Sequence, residues 1–367
     1  MRRNLTCGER AVRCLLGQEI DRVPFGVGIG WSAWPETLGR WREESGEAGL
    51  GGKPLDEYFS FDKSFIMPDF HAGIFPFFEQ QTLEETETHI IFQGRDGIIR
   101  KQLKNTSNMP DFLSHPVKTR EDWERLKSER LRIDTPGRIT QNWPAFRARL
   151  VAAGEAVQVG AFPFGVFGTV RDLMGAEECL LGFYTEPEMI HDMMQHLTSL
   201  WLALWEQVAR EVQIDHIHIW EDMSGKQGSL ISPKMVEEFM IPCYDRITAF
   251  AKDHGVRIIS VDTDGDCSEL VPIMMRHGIN MFFPFEVQAG NDLLAYREKY
   301  PTLAMMGGLD KRALALDRAA IDKEVALAVK MLVKGRYIPG FDHAIPPDVP
   351  WHNFRYAVEC LREVCGA

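Results

Sequence analysis

Residues 258–266 read Ile-Ile-Ser-Val-Asp-Thr-Asp-Gly-Asp, a short apolar run that ends in carboxylates spaced two apart. A β-strand alternates its faces with a period of two, so Asp262 and Asp264 point the same way if the strand continues past Val261. Carboxylates at this spacing repel one another unless a cation, hydrogen-bond donors or a proton offset the charge. The pattern predicts a buried strand with a functional site at its carboxyl end. A solvated turn with Asp266 as a helix cap is the alternative.

Further apolar runs recur along the chain, each followed by a loop and then by a helical pattern. Ser232 followed by Pro233 predicts a helix start, and Pro187 predicts another for a helix that continues to residue 212. Strands that alternate with helices along a chain form parallel sheets. Eight such strands favour an α/β fold with a closed (β/α)8 TIM barrel. The predicted strands cover residues 23–28, 64–68, 156–161, 216–220, 257–261, 280–284, 303–306 and 336–340.

One segment between the second and third predicted strands breaks this rhythm. It has apolar residues on both sides of Asp96-Gly97, a dipeptide that is typical of hairpin turns. We therefore expect a small β-hairpin insertion at about 87–104 within a single barrel domain that spans residues 1–367. A separate small domain over about 75–150 is the alternative, but this region has too few apolar residues for a core of its own.

Charge and cysteine content restrict the expected partners and location. The chain has 367 residues and a formal net charge of -12, which disfavours nucleic acid and anionic membranes as partners. Its apolar runs are shorter than the roughly 20 residues of a membrane helix, and its first residues lack the apolar core of a signal peptide. Seven cysteines without paired spacing fit a reduced protein, so we expect a cytoplasmic location.

Acidic side chains and one histidine follow the predicted strands at their carboxyl ends, where (β/α)8 barrels place their active sites. His343 lies in a Pro-flanked loop and can donate a proton, bind a metal or contact a substrate. Several of the acidic residues could instead be strand stoppers, ion-pair partners or helix caps, and we expect only one of Glu221 and Asp222 to face the cavity. The candidates at these strand ends are Asp69, Phe164, Glu221, Asp222, Asp262, Asp264, Glu286, Asp310 and His343.

At these strand ends the sequence resembles the uroporphyrinogen decarboxylase superfamily, over nearly the whole chain. The resemblance implies a (β/α)8 barrel. It also implies either a haem-pathway decarboxylase or a zinc methyltransferase that moves a methyl group from a corrinoid protein to an acceptor. The motifs that carry it are Ile-Trp-Glu-Asp at 219–222, Leu-Ile-Ser-Pro at 230–233, Asp-Thr-Asp-Gly at 262–265, Gly-Gly-Leu-Asp at 307–310, Tyr-Ile-Pro-Gly-Phe-Asp-His at 337–343 and Pro346-Pro347.

The sequence departs from the decarboxylases of this superfamily after the first strand. Those enzymes carry an arginine-rich motif there that binds substrate carboxylates, whereas residues 28–34 read Gly-Ile-Gly-Trp-Ser-Ala-Trp. A substrate with many carboxylates would lack cationic partners at this place, which is electrostatically unfavourable. The resemblance nevertheless matches Asp69 and His343 to the family's aspartate after strand two and histidine after strand eight. We therefore predict a family member that is not a true uroporphyrinogen decarboxylase.

The sequence also departs from the methyltransferases. Their zinc is bound by His-x-Cys after the fifth strand and by a further Cys after the eighth, and the matching positions here are Asp262, Asp264 and His343. Glu286 or Glu221 could complete such a set. Imidazole with carboxylates is a harder ligand set that suits an oxygen-bearing substrate or water better than a thiol.

We expect an enzyme whose favoured reaction is corrinoid-linked methyl transfer, with a cofactor-free decarboxylase (a lyase) and a non-catalytic binding protein on a barrel scaffold as alternatives. The expected cofactor is zinc or another divalent metal, with corrinoid only through a partner protein. The other expected partner is a small-molecule substrate. Neither nucleic acid nor a membrane is expected as a partner, and the sequence leaves open whether the protein forms a homodimer. The predicted roles are catalysis for Asp69, Glu221 and His343, substrate binding for Trp31, Trp34, Phe164, Asp222 and Asp310, and metal binding for Asp262, Asp264, Glu286 and His343.

Overall fold

The computed structural model describes residues 4–46, 50–104 and 109–367, which form an α/β fold. Its strands are β1 (Phe65–Ile66), β2 (Gln81–Glu85), β3 (His89–Gln93), β4 (Ile99–Leu103), β5 (Asp111–Ser114), β6 (Ala156–Gly160), β7 (His216–Trp220), β8 (Ser224–Gly225), β9 (Gly228–Ser229), β10 (Ile258–Thr263), β11 (Met281–Pro284), β12 (Ala304–Met306) and β13 (Tyr337–Ile338).

The helices surround the sheet and mostly lie between its strands in sequence. They are α1 (Cys7–Leu15), α2 (Pro35–Glu44), α3 (Leu55–Tyr58), α4 (Arg120–Arg130), α5 (Trp143–Ala153), α6 (Gly168–Met174), α7 (Ala176–Thr185), α8 (Pro187–Ala209), α9 (Pro233–Met235), α10 (Ile241–Asp253), α11 (Leu270–Arg276), α12 (Leu293–Lys299), α13 (Arg318–Lys334) and α14 (Trp351–Cys365). Every helix in the described ranges is too short or too polar to cross a lipid bilayer.

A seven-stranded parallel sheet forms the centre of the fold, in the order β1-β6-β7-β10-β11-β12-β13. One face of this sheet brings residues from distant strands into a single apolar cluster, among them Ala156, Ile258, Met306 and Ile338. Strands at opposite ends of the order share this cluster, so the sheet is curled. Its other face packs into the larger core that the helices cover, which explains why these strands read as continuous apolar runs.

Residues 23–28 form no strand, which corrects the prediction of a first strand there. Pro24 has no N–H to donate, and Gly26 has a φ of 76°, so the segment cannot hold a regular ladder. Phe25 pairs with one residue instead: its N–H donates to the Asp62 carboxylate at 3.0 Å, and its carbonyl accepts from the Asp62 N–H at 2.8 Å. The seven other predicted runs each contain a strand of the parallel sheet.

The insertion is larger than a hairpin. β3 and β4 pair antiparallel from His89↔Leu103 to Gln93↔Ile99, with Asp96 and Gly97 in the turn. β2 and β5 add to the two sides of this pair and complete a four-stranded antiparallel sheet. The prediction of an isolated pair at about 87–104 therefore missed its two outer strands, because β2 is exposed along its whole length and shows no apolar alternation.

Helix ends follow the predicted capping signals. The Ser232 hydroxyl accepts a hydrogen bond from the Met235 N–H at 3.2 Å and so caps α9. At the other end of a helix, α13 stops at Lys334 and is followed by Gly335 with a φ of 75°, a conformation that glycine adopts readily. The Ser232 cap ends the segment that follows β7, and Gly335 begins the turn that leads into β13.

Candidate active site

A carboxylate and an imidazole meet at the carboxyl edge of the sheet. The Nε2 atom of His343 lies 3.6 Å from the Oδ2 atom of Asp264, and the two side chains are 27% and 36% exposed. β10 ends at Thr263, so Asp264 is the first residue of the loop that follows. The two residues were predicted to share a site, and the structure brings them together.

Burial raises the pKa of Asp264 to about 6. The neighbouring carboxylates of Glu286 and Asp222 raise it further, whereas the positive charges of His343 and Lys311 oppose the rise. A carboxyl group with such a pKa exchanges its proton close to neutral pH, as general acid–base catalysis requires. Asp264 and His343 are close enough for an ion-pair contact, and a hydrogen bond between them needs an approach closer than 3.6 Å.

Lys311 is a functional candidate that the sequence prediction did not include. Its Nζ lies 3.2 Å from the Oδ1 of Asp342 and 3.5 Å from the Oε1 of Glu286, and its side chain is 14% exposed. Asp342 is completely buried and also accepts hydrogen bonds from the backbone N–H groups of Val287 and Lys311. The sequence signal that could have pointed to Lys311 is Asp342, the residue before His343, because a buried carboxylate needs a cation to offset its charge.

A cavity of about 530 Å³ opens beside this cluster, lined by Trp34, Glu36, Glu286, Lys311, His343, Ala344, Pro346 and Pro347. Trp34 thus lies where it was predicted. Glu36, in the first turn of α2, was not predicted, and both of its carboxylate oxygens are buried with no hydrogen-bond partner among the described residues. A buried carboxylate without a partner favours a ligand that supplies a donor or a positive charge.

Asp262 faces the interior of the curled sheet. Its Oδ2 lies 3.7 Å from the Nε2 of His218, whose Nδ1 is 2.9 Å from the Ser260 hydroxyl. Burial, together with the charges of Asp264 and Asp222, raises the pKa of Asp262 well above its ordinary value. Burial lowers the pKa of His218 to about 3, so its imidazole is neutral at physiological pH.

The predicted metal ligands do not gather into one site. Asp262 is directed at His218, and Glu286 accepts the N–H of Gly265 at 3.0 Å with one oxygen and lies 3.5 Å from Lys311 with the other. Across residues 4–46, 50–104 and 109–367, no three His, Cys, Asp or Glu side chains are grouped so as to hold a metal ion. The predicted four-ligand set therefore does not fit a divalent metal.

A metal at Asp264 and His343 stays a prediction. Elemental analysis of protein prepared without chelators tests it, because a metal held by this pair must be lost in His343→Ala. Equal metal contents in the wild type and the variant would contradict it.

Comparisons with known proteins identify the family. The family model for uroporphyrinogen decarboxylase (URO-D) matches residues 102–364. The chain belongs to this family. Among curated relatives it is 25% identical over 314 residues to a uroporphyrinogen decarboxylase of Anaeromyxobacter sp., covering 84% of this chain and 82% of the relative. It is 24% identical over 273 residues to that of Pelobacter propionicus, covering 68% and 72%.

A solved structure supports the same fold. A methyltransferase from Methanosarcina mazei superposes with a TM-score of 0.59 at 17% identity, over 98% of this chain and 99% of the other. At this level of identity the match concerns the fold. The superfamily resemblance predicted from the strand ends is confirmed by the family model.

Glu221 supports the core of the fold and does not face the cavity. It is 0% exposed, and its carboxylate accepts hydrogen bonds from the N–H groups of Val166, Phe167 and Gly168 at 2.7 to 3.0 Å and from the Tyr244 hydroxyl at 2.5 Å. These contacts join the start of α6 to α10. The prediction that Glu221 is catalytic is corrected, because its oxygens are occupied inside the core.

Asp222, the next residue, does lie at the edge of the site. Its Oδ2 is 2.7 Å from the Nη2 of Arg171, whose guanidinium also lies over the Trp220 ring at 5.5 Å from the centroid. Asp222 has a φ of 42°, which turns the chain away from β7 directly after Glu221. Of the two acidic neighbours, only Asp222 is accessible to solvent, and it is not among the residues that line the cavity with His343.

Trp31 and Phe164 are core residues, which corrects their prediction as substrate contacts. Trp31 is 3% exposed, donates its indole N–H to the Pro339 carbonyl at 3.1 Å and packs edge-on against Phe25. Phe164 is 6% exposed and packs against Trp205. Of Trp31, Trp34 and Phe164, only Trp34 lines the cavity with His343.

Asp310 and Asp69 also have other surroundings than predicted. Burial raises the pKa of Asp310, but hydrogen bonds from Arg312 outweigh this effect and hold the pKa below its ordinary value. The Asp310 carboxylate also caps the short helical turn Lys311–Ala315. Asp69 is exposed, and its described contacts are made by its backbone, with Thr140 and Gln141. Neither residue lines the cavity with His343.

Proposed function

We propose that this protein is an enzyme that transfers a methyl group between a small substrate and a corrinoid carried by a partner protein. In this proposal the seven strands of the curled sheet and the segment 23–28, which forms no ladder, together make a (β/α)8 barrel, and residues 1–367 form one domain. The observation that carries the proposal is the 3.6 Å approach of His343 and Asp264 at the rim of an open cavity. The methyltransferase name of the structural neighbour agrees with it.

The pair supplies the proton that methyl transfer from an oxygen or nitrogen atom requires. When the bond between the methyl carbon and that atom breaks, the bonding electrons stay on the departing atom, which then takes up a proton. A corrinoid, when bound, supplies the cobalt centre that receives the methyl group. Asp264, with a pKa of about 6, shares a proton with His343, and His343 delivers it to the departing atom.

The charges around the cavity argue against a substrate with many carboxylates. Arg171 is engaged by Asp222, and Lys311 by Asp342 and Glu286. Glu36 and Glu286 add negative charge to the wall that Trp34 completes. A neutral or cationic methylated substrate, held against the indole ring, fits this lining better than uroporphyrinogen does.

A cofactor-free decarboxylase is the second candidate, favoured by the presence of Lys311 in the same cavity as His343. A substrate carboxylate could replace Glu286 as a partner of Lys311, and His343 could protonate the carbon that loses carbon dioxide. A purely non-catalytic role is less well supported, since the cavity is not filled by the protein's own side chains.

The test mixes the purified protein with free cob(I)alamin, kept reduced, and a panel of methyl ethers and methylated amines, and follows the appearance of the cobalt–methyl absorption. Substrate-dependent appearance of this absorption, abolished in His343→Ala and kept in the matched surface variant His352→Ala, supports methyl transfer. Unchanged absorption with every substrate, together with His343-dependent release of carbon dioxide from carboxylated substrates, would overturn methyl transfer in favour of decarboxylation.

A further inference from the structure

A second cavity of about 530 Å³ lies between the antiparallel sheet and the segments that follow β1 and β6. It shares no lining residue with the cavity that contains His343. Most of its wall is apolar, and its volume lies within the range of roughly 300–1,000 Å³ of small-molecule sites. The side chains that form the apolar wall include Phe70, Phe77, Phe92, Ile98, Leu173 and Leu197.

One carboxylate interrupts this apolar wall. Asp172 lies on α6 and lines the cavity, and no hydrogen bond or ion pair reaches its carboxylate from the described part of the chain. Of the other charged groups that line the cavity, Arg100 holds Asp96 through two hydrogen bonds of 2.9 and 2.6 Å. Arg95 is exposed, donates to the Gln80 amide oxygen and lies over the Phe77 ring. Asp172 is therefore the carboxylate of this cavity that has no cation in contact with it among the described residues.

A carboxylate in apolar surroundings is unfavourable unless it takes up a proton or meets a donor. Burial raises the pKa of Asp172 to about 6. The charges of Arg171, His115 and Arg100 oppose this rise, and that of Asp96 adds to it. Above this pH, Asp172 is ionised and offers an unsatisfied negative charge to whatever enters the cavity.

We propose that this cavity binds a small molecule that combines an apolar body of aromatic size with one protonated amine. The amine lies against the Asp172 carboxylate, and the body packs against Phe70, Phe92 and Leu197. An anionic ligand would meet the unpaired carboxylate and is rejected. The site is independent of the methyl-transfer proposal, because its residues take no part in the chemistry at His343.

The experiment titrates the full-length protein with 1-naphthylmethylamine at pH 7.5 by calorimetry, with 1-naphthoic acid as the anionic probe of the same ring. We expect the amine to bind at least about tenfold more tightly than the acid, and Asp172→Asn to weaken amine binding by at least about tenfold, as removal of one partner of a buried charge pair does. The matched variant Asp134→Asn, at an exposed carboxylate paired with Arg132, should bind the amine like the wild type.

A second variant fills the cavity without touching the charge. Ile74 lines the cavity, so Ile74→Trp should abolish binding of the naphthyl body. Equal affinities for amine and acid, an unchanged affinity in Asp172→Asn, or the absence of heat with both probes would each overturn the proposal. If Asp172→Asn does not fold, the comparison of amine with acid on the wild type and the Ile74→Trp result decide.

Discussion

His343 Nε2 lies 3.6 Å from Asp264 Oδ2, although β10 and β13, the strands nearest to them in the chain, are separated in the sheet by β11 and β12. The curl of the sheet closes this gap, because it turns the carboxyl ends of separated strands towards a common centre. The approach places an imidazole beside a partly buried carboxyl group, and the charge of one then affects the pKa of the other. The first predictions concern this pair.

Replacement of Asp264 should impair catalysis and change its pH dependence. If the proton that His343 delivers comes from protonated Asp264, wild-type activity falls as pH rises through about 6, the pKa to which burial raises this carboxyl group. Asp264→Asn should lower kcat by about 10²–10⁴-fold, as loss of a general acid does, and should remove this limb of the pH–rate profile. Asp348→Asn, at an exposed carboxylate, is the control, and an unaltered profile in Asp264→Asn would argue against the assignment.

The same variant should be more stable than the wild type. A carboxyl group whose pKa is higher in the folded than in the unfolded protein loses stability as pH rises between the two values, here from about 4 to about 6. Asp264→Asn removes this loss, so its free energy of unfolding at pH 8 should exceed that of the wild type by about 1 kcal/mol after solvent screening. At pH 4 the two proteins should be equal, and chemical denaturation at both pH values measures the difference.

Lys311 should be essential for stability because it offsets the charge of Asp342, and not because of the packing of its own side chain. Lys311→Met leaves the completely buried Asp342 carboxylate without its cation, which should cost roughly 3–5 kcal/mol of unfolding free energy. Lys311→Met combined with Asp342→Asn removes both charges and should recover most of that loss. A double variant as unstable as the single one would show that the ion pair is not the cause.

Glu221 should matter for stability. Glu221→Ala leaves three backbone N–H groups and the Tyr244 hydroxyl without their acceptor, which should lower the free energy of unfolding by roughly 2–4 kcal/mol. Glu237→Ala, at an exposed glutamate, should change it by less than about 0.5 kcal/mol. Denaturant melts compare the two, and a stable Glu221→Ala protein without activity would restore the catalytic assignment.

Trp34 should contribute to substrate binding more than to catalysis. It lines the cavity with His343, whereas Trp31, three residues earlier, is buried in the core. Trp34→Leu should therefore raise KM for a methylated amine by about fivefold, corresponding to the roughly 1 kcal/mol of a cation–π contact, with kcat nearly unchanged. Trp31→Leu should instead lower Tm. A fall in kcat alone for Trp34→Leu would contradict this role.

The carboxyl ends of the strands could be predicted because they depend on local signals. Short apolar runs followed by acidic residues, with Ser232 and Gly335 at helix ends, define where a strand or helix stops, and seven of the predicted runs contain strands of the parallel sheet. The prediction at 23–28 was wrong, since one proline and one positive-φ glycine are enough to remove a ladder from an apolar segment.

The assignment of side chains to the site depended on contacts between distant segments. Glu221 and Asp222 are neighbours in sequence, yet one is enclosed by α6 and α10 and the other reaches Arg171 at the rim. Glu36 enters the cavity from a helix, with no strand-end signal.

Periodicity and capping are properties of a few consecutive residues. The local amino-acid sequence therefore specifies a parallel α/β sheet with acidic residues and a histidine at one edge. The direction and protonation of each side chain depend on which remote groups desolvate it or supply a donor. Only the packed structure shows that Lys311 joins Asp342, that Asp264 meets His343, and that the Asp172 carboxylate lies in an apolar cavity with no partner among the described residues.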